Sequence, residues 1–112
     1  MGHHIYRVVV RGQFDDLAPD RREVLLAEAD NHDIFKAAYT KEGTFTYEPN
    51  LVAFQFRYEI RIMADDGDSP ADNEAAVVAQ AEEQATTFLQ QAGFGHKRLR
   101  FEPTNMADFW GR

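Results

Sequence analysis

The chain has 112 residues, enough for a single domain with one hydrophobic core, which we expect to span residues 1–112. It contains no cysteine, which excludes disulfides, thiolate metal sites and cysteine nucleophiles. The formal net charge of −7 argues against general binding to nucleic acids or anionic membranes, so we expect neither as a partner. No apolar run is long enough for a membrane span or a signal peptide, so we expect a cytoplasmic protein.

The first predicted elements are a strand and a helix. Ile5–Arg11 is short and rich in β-branched residues, and Gly12 follows it as a stop signal, so we predict a strand that ends there. Pro19 suits a first helical turn because it lacks an N–H group. We predict a helix from Pro19 to about His32, with Val24 and Leu25 among its inward residues.

Alternating side chains then predict a hairpin. In Phe54–Ile62 every even-numbered residue is apolar and every odd-numbered one is polar, which is typical of a strand with one buried face. Thr44–Glu48 also alternates, with apolar residues at the odd-numbered positions 45 and 47, and it follows a turn in which Gly43 is free to take a positive φ. Ile34–Thr40 is ambiguous between a loop and a short additional edge strand.

A second helix and a last strand complete the pattern. The helix is predicted from Ser69-Pro70, a capping sequence, to Gly93, and the strand from His96 to Glu102. The inward stripe of this helix is predicted from residues at three- and four-residue spacing: Val78, Ala81, Ala85, Phe88 and Ala92.

The element order β-α-β-β-α-β predicts an α+β fold. We expect a ferredoxin-like split βαβ sandwich, in which two helices cover one face of an antiparallel sheet, with a possible extra edge strand. Right-handed crossovers would place the first and third main strands in the centre.

This arrangement leaves one sheet face open, and its composition is distinctive. Six of the twelve Lys and Arg residues occupy the strand positions that alternate with the apolar, helix-facing ones and so point to the open face. The acidic residues instead gather on the helices and in the loop 65–68. We therefore expect a molecule with a basic sheet surface and an acidic helical layer. The candidate ligand-binding residues on the open face are Arg7, Arg11, Arg57, Arg61, His96, Arg98 and Arg100.

Such a face favours binding of an anionic small molecule or of an acidic partner surface. A guanidinium group is planar and can donate two hydrogen bonds to one carboxylate or phosphate. The alternative is a solvated sheet surface, in which Glu48, Glu59 and Glu102 pair with arginines across the strands.

Two further alternatives stay open. One is a cofactor-independent enzyme of the dimeric α+β barrel type, with a pocket between sheet and helices reached by His96, Tyr39 or Tyr58. The other is a purely structural interaction module. His96 is a better candidate base than His32, whose neighbour Asp33 is poorly placed for proton transfer, and no catalytic residue is assigned.

Other chemistries have weak signals. RNA-binding modules stack bases on aromatic residues exposed on central strands, but Phe54, Phe56 and Tyr58 have the helix-facing parity. Residues 65–68 lack the ligand alternation of a calcium loop, so we expect no metal. No phosphate loop or other cofactor motif is present, so we expect no cofactor.

The residues after the last predicted strand are unusually apolar for a chain end. Met106, Phe109 and Trp110 should dock on this domain or on a second subunit. We expect a homodimer.

Several segments also resemble a bacterial family of about this length. They are Arg7–Leu17 (RVVVRGQFDDL), Leu26–Tyr39 (LAEADNHDIFKAAY), Gly43–Tyr47 (GTFTY), Phe54–Arg57 (FQFR) and Asn105–Trp110 (NMADFW). The sequence is similar to domain of unknown function 6204 over nearly its whole length. Because that family has no assigned function, the resemblance implies no catalytic residue, cofactor or partner.

Overall fold

The structure, a computed structural model, describes residues 2–32, 38–64 and 70–106. Its four strands form one antiparallel sheet in the order β2-β3-β1-β4, so the first and third strands are central, as predicted. The elements are strand β1 (Gly2–Phe14), helix α1 (Pro19–Ala27), a 3-10 helix (Ala29–His32), strand β2 (Thr44–Tyr47), strand β3 (Ala53–Ala64), helix α2 (Pro70–Ala92) and strand β4 (His96–Asn105). The fold is therefore α+β.

β1 continues through Gly12, so the predicted stop at this residue is wrong. The glycine is required by packing, because a Cβ here would lie 2.6 Å from Cζ of Phe54 and 2.7 Å from Cδ2 of Leu99. Because Gly12 has no side chain, Phe54 and Leu99 can pack directly on the backbone of the strand. The strand then reaches Phe14, which lies opposite His96 of β4.

The core lies on the even-numbered face of the two central strands. This placement confirms the alternation predicted for β3 and puts its aromatic rings inside the protein. The buried residues of these strands are Tyr6, Val8, Val10 and Phe14 in β1, and Phe54, Phe56, Tyr58 and Ile60 in β3.

Both helices contribute to this core. Leu25 is the buried residue of α1, and its carbonyl oxygen accepts a hydrogen bond of 2.6 Å from the Tyr47 hydroxyl. In α2 the fully buried row is Val77, Ala81, Ala85 and Leu89.

The stripe predicted for α2 is thus wrong at Val78 and Phe88, whereas Ala81 and Ala85 are buried and Ala92 packs against the core. The row at four-residue spacing points at the sheet, so Val77 and Leu89 are buried while their neighbours Val78 and Phe88 lie at its border. Phe88 remains 41% exposed, although its ring centroid is 5.1 Å from that of Phe45.

Beside β2, a single residue extends the pairing along the edge of β3. Thr40 forms an isolated parallel bridge with Tyr58, and its carbonyl oxygen accepts a 2.8 Å hydrogen bond from the backbone N–H of Glu59. Gly43 follows with φ +88°, which confirms the predicted turn conformation. Most of the possible extra edge strand, residues 34–37, lies outside the described residues.

Other predictions also fall outside them. They concern Asp33, the acidic loop and helix cap at 65–69, and the tail from residue 107 onwards. Met106, the last described residue, is buried, and its backbone N–H donates a 2.8 Å hydrogen bond to the carbonyl of Ile5. In the described ranges, no helix has both the length and the apolar character needed to cross a membrane.

Candidate functional site

The sheet surface opposite the helices, here called the open face, carries most of the predicted arginines. It consists of the odd-numbered residues of β1 and β3 and the residues paired with them. Arg7 lies opposite Glu59, Arg57 opposite Val9, and Arg11 between Gln55 and Arg100. The predicted outward orientation is thus observed for Arg7, Arg11, Arg57, Arg61 and Arg100.

The pairing of β4 with β1 contains a β-bulge. From Arg11 to Gln13, β1 advances two residues, whereas β4 moves from Arg100 to Lys97. Arg98 lies in this extra stretch with φ +57°, a left-handed conformation that residues other than glycine rarely adopt. Because a bulge adds one residue to one strand, it reverses the alternation beyond it.

The reversal makes the predicted placement of His96 on the open face wrong. His96 lies opposite Phe14, on the helix-facing side, and its Nδ1 is 3.5 Å from the carbonyl oxygen of Phe94. Lys97 takes the outward position instead and lies 3.6 Å from a carboxylate oxygen of Asp15. An arginine at the bulge gives no sequence signal of it, since a glycine or asparagine would be expected there.

At one end of the open face, the arginines already have contacts within the protein. Arg7 Nε is 3.5 Å from Oε1 of Glu59. The guanidinium carbons of Arg7 and Arg57 lie 4.7 Å and 5.6 Å from the centroid of the Tyr39 ring, a distance at which cation–π attraction acts. This end therefore matches the alternative interpretation, a solvated sheet surface on which the arginines interact with neighbouring residues of the same protein.

The other end of the open face contains a cleft of about 710 Å³, here called the basic cleft. It crosses all four strands beside the turn that joins β2 to β3. Its polar and charged lining consists of Arg11, Gln13, Thr46, Tyr47, Glu48, Asn50, Gln55, Arg98 and Arg100, and Val52 belongs to its apolar lining.

Three guanidinium groups line the basic cleft, and two of them have a side-chain contact, including the Arg11–Glu102 pair that the alternative interpretation expects. Arg11 donates a 3.0 Å hydrogen bond to Glu102, and Arg98 donates one of 3.3 Å to Gln13. Both contacts are exposed, and contacts of this kind contribute little stability in water. Arg100 has no ion pair or side-chain hydrogen bond within the described residues. The cleft thus offers positive charge to an incoming anion.

On the helix-facing side of the sheet, a cluster of aromatic rings links β2 to the 3-10 helix. His32 donates a 2.8 Å hydrogen bond from Nδ1 to the carbonyl of Phe45 and stacks on the Tyr47 ring, with centroids 5.4 Å apart. Burial, with a smaller effect of the Glu28 charge, raises the pKa of Tyr47 to about 12. Burial also raises the pKa of Tyr58. These contacts give His32 a structural role.

The three residues expected of the enzyme alternative do not meet in the basic cleft. His96, Tyr39 and Tyr58 do not line the basic cleft, which lies on the open face rather than between sheet and helices. Among the residues that the structure describes, no three His, Asp or Glu side chains are grouped so that they could hold a metal ion.

Comparison with known proteins identifies a family. Residues 1–110 match the family described as "Family of unknown function (DUF6204)". The chain belongs to this family. No curated protein and no solved structure matches it. The resemblance noted in the sequence is therefore confirmed, and because the DUF6204 family carries no assigned chemistry, a function has to be inferred from the site.

Proposed function

We propose that the protein binds a small anionic molecule in the basic cleft. The observation that carries this proposal is the bulge at Arg98. A left-handed conformation at a residue with a side chain costs on the order of 1 kcal/mol, and such conformations cluster at functional sites. Bulges are also frequent beside binding sites, where they redirect a side chain. Here the bulge brings the Arg98 guanidinium next to Gln13 at the cleft.

The chemistry of the lining supports the same proposal. Arg11, Arg98 and Arg100 offer planar donor groups, and Gln13, Gln55 and Asn50 add amide donors and acceptors. Arginine is well suited to carboxylates and phosphates because it can donate two parallel hydrogen bonds. The cleft volume of about 710 Å³ is in the range of small-molecule sites.

The charge distribution outside the cleft favours the same direction of approach. Exposed carboxylates on the helical side repel anions, so an anion is drawn to the open face. The exposed acidic residues on or next to the helices are Asp20, Glu23, Glu28, Asp30, Asp72, Glu74, Glu82 and Glu83. An acidic surface of a partner protein is the other occupant that this field would accept.

Binding should be tested with Arg100→Gln, using Arg61→Gln as the matched control. Arg61 is also exposed on the open face and has no ion pair within the described residues, but it does not line the cleft. Thermal-shift screening of carboxylates and phosphate monoesters should identify a binder, whose affinity is then measured by calorimetry. Because Arg100→Gln removes a charged hydrogen bond, this variant should bind the anion about tenfold more weakly or worse. Equal affinities of the two variants would contradict the proposal.

We also propose that the strand order β2-β3-β1-β4 and the element order make this a ferredoxin-like domain. Its proposed state is a cytoplasmic homodimer. Support for dimerisation comes from large apolar side chains that are exposed in the single chain, among them Leu26 and Phe88. Light scattering coupled to size exclusion should give twice the chain mass, and a monomer at micromolar concentration would contradict this.

A further inference from the structure

The charges of the basic cleft are unevenly distributed along its length. All three arginines belong to β1 and β4, whereas the β2–β3 end is lined by uncharged residues and by the acidic Glu48. Neighbouring strands lie about 4.8 Å apart, so β4 and β2 are separated by roughly 14 Å across the sheet. An inorganic anion bound by the arginines would leave the β2–β3 end unoccupied.

That end carries an exposed apolar side chain on a hydrogen-bonded stretch of backbone. Val52 is 55% exposed and lines the cleft in the turn between β2 and β3. Its N–H donates a 3.2 Å hydrogen bond to the Asn50 side chain, and its carbonyl accepts one of 3.0 Å from the N–H of Phe14. A side chain on such a backbone can be covered by a ligand without loss of further backbone freedom.

We infer that the ligand is an elongated organic anion with a single charged head. Its carboxylate or phosphate binds at Arg98 and Arg100, and its apolar body extends along the cleft to Val52. Glu48 disfavours a second anionic group at the far end, because like charges repel. This inference rests on the proposed function and adds the class of ligand to it.

Calorimetric titrations with a graded set of anions test the inference. The probes are acetate, butyrate and octanoate, the dicarboxylate suberate, and the pair inorganic phosphate and hexyl phosphate. Affinity should rise from acetate to octanoate by roughly fourfold for each methylene that becomes buried. Suberate, which has the same number of carbons as octanoate, should bind at least fivefold more weakly than octanoate. The phosphate pair shows whether the head group is interchangeable.

Val52→Gln is the diagnostic variant and Met63→Gln its control. Met63 is 56% exposed and lies on the same face, but it does not line the cleft. Val52→Gln should weaken octanoate binding three- to tenfold and leave acetate binding unchanged, whereas Met63→Gln should change neither. Equal effects of the two substitutions overturn the inference.

The remaining outcomes separate the inference from the proposed function. If acetate and octanoate bind equally and both depend on Arg100, the proposed function stands and the elongated ligand is wrong. If octanoate binding depends on Val52 but not on Arg100, apolar adsorption explains it and both proposals fail. If no anion of the set binds, both proposals also fail.

Discussion

At Gly43 the absence of a side chain decides how the edge of the sheet packs. Its φ is +88°, and the position that a Cβ would take is occupied by the ring of Tyr58. Thr40 closes the same turn, because both its carbonyl and its hydroxyl oxygen accept a hydrogen bond from the Gly43 N–H. Backbone strain and side-chain overlap therefore both act against any larger residue here.

Gly43→Ala should lower the free energy of unfolding by about 2 to 4 kcal/mol, since it combines left-handed strain with overpacking. Gly93→Ala is the matched control. Gly93 has φ +76°, but the nearest atom to an added Cβ would belong to the flexible side chain of Arg21, at 3.4 Å. It should lose only about 1 kcal/mol. Equal losses in urea unfolding would show that the Tyr58 contact is unimportant.

Tyr47 predicts a loss of stability at alkaline pH. Because burial raises its pKa to about 12 from an ordinary value near 10, the folded state holds a proton that the unfolded state releases. The resulting stabilisation is complete below pH 10 and is lost as the pH rises through 12. Tyr58, whose pKa is also raised, acts in the same direction.

The variant Tyr47→Phe should reduce this alkaline loss. It also removes the hydrogen bond to the Leu25 carbonyl, so at pH 8 it should be less stable by about 1 kcal/mol. Urea unfolding at pH 8, 10 and 11.5 measures both effects. An unchanged difference in stability between wild type and variant across these values would contradict the assignment.

Among the elements, β4 is the one whose geometry serves the site most directly. Its bulge interrupts regular pairing with β1 directly beyond the Arg11–Arg100 pair and places Arg98 at φ +57°. A regular strand would have kept His96 on the open face and Lys97 on the other. The bulge therefore determines which residues of β4 before Leu99 face outward, and Arg98, which lies in it, lines the cleft.

Substitutions at Arg98 test the bulge independently of any ligand. Arg98→Gly should change stability by less than about 1 kcal/mol, because glycine accepts a positive φ. Arg98→Val should lower it by about 1 to 2 kcal/mol relative to Arg98→Gly, because β-branched residues are disfavoured in this conformation. Both variants lose the guanidinium, so the difference reports on the backbone. Equal free energies of unfolding for Arg98→Val and Arg98→Gly in chemical denaturation would contradict the left-handed conformation at this bulge.

Helix α2 is tested by two adjacent large residues. Leu89 is fully buried against the sheet, so Leu89→Ala should cost about 2 to 5 kcal/mol. Phe88 lies at the border and keeps contacts with Phe45 and Phe56, so Phe88→Ala should cost less, on the order of 1 to 2 kcal/mol. The reverse order in thermal or urea unfolding would favour the stripe predicted from the sequence.

The elements differ in how much of them the sequence predicts. Strict alternation in β3 predicts its buried and exposed faces, because successive side chains of a strand point to opposite sides of the sheet and only one orientation buries all the apolar ones. The pattern of α2 is less informative, since Val77 and Val78, like Phe88 and Leu89, are apolar neighbours of similar size at the edge of one stripe. The bulge in β4 could not be predicted, because arginine is not a residue type that favours a positive φ, and the position of Arg98 at the cleft depends on it.

On the scale of the whole molecule, the described residues show the polarised charge that the sequence predicts. Seven of the twelve Lys and Arg residues lie on the open face or at its bulge, once Lys97 replaces His96 there. The two ends of this face differ in use. Tyr39 and Glu59 engage the arginines at one end, whereas those of the basic cleft have only exposed contacts or none. Net charge alone, at −7, conceals this arrangement.

Mapping a bound anion by NMR would locate its binding site on the protein. Backbone amide shifts are followed while octanoate is titrated into the wild-type protein at constant ionic strength. Binding in the basic cleft predicts saturable shifts concentrated in residues 11–13, 52–55 and 98–100, with the same pattern in Arg61→Gln and a strongly weakened one in Arg100→Gln. Shifts centred on the helices, or a titration that Arg100→Gln leaves unchanged, would contradict it.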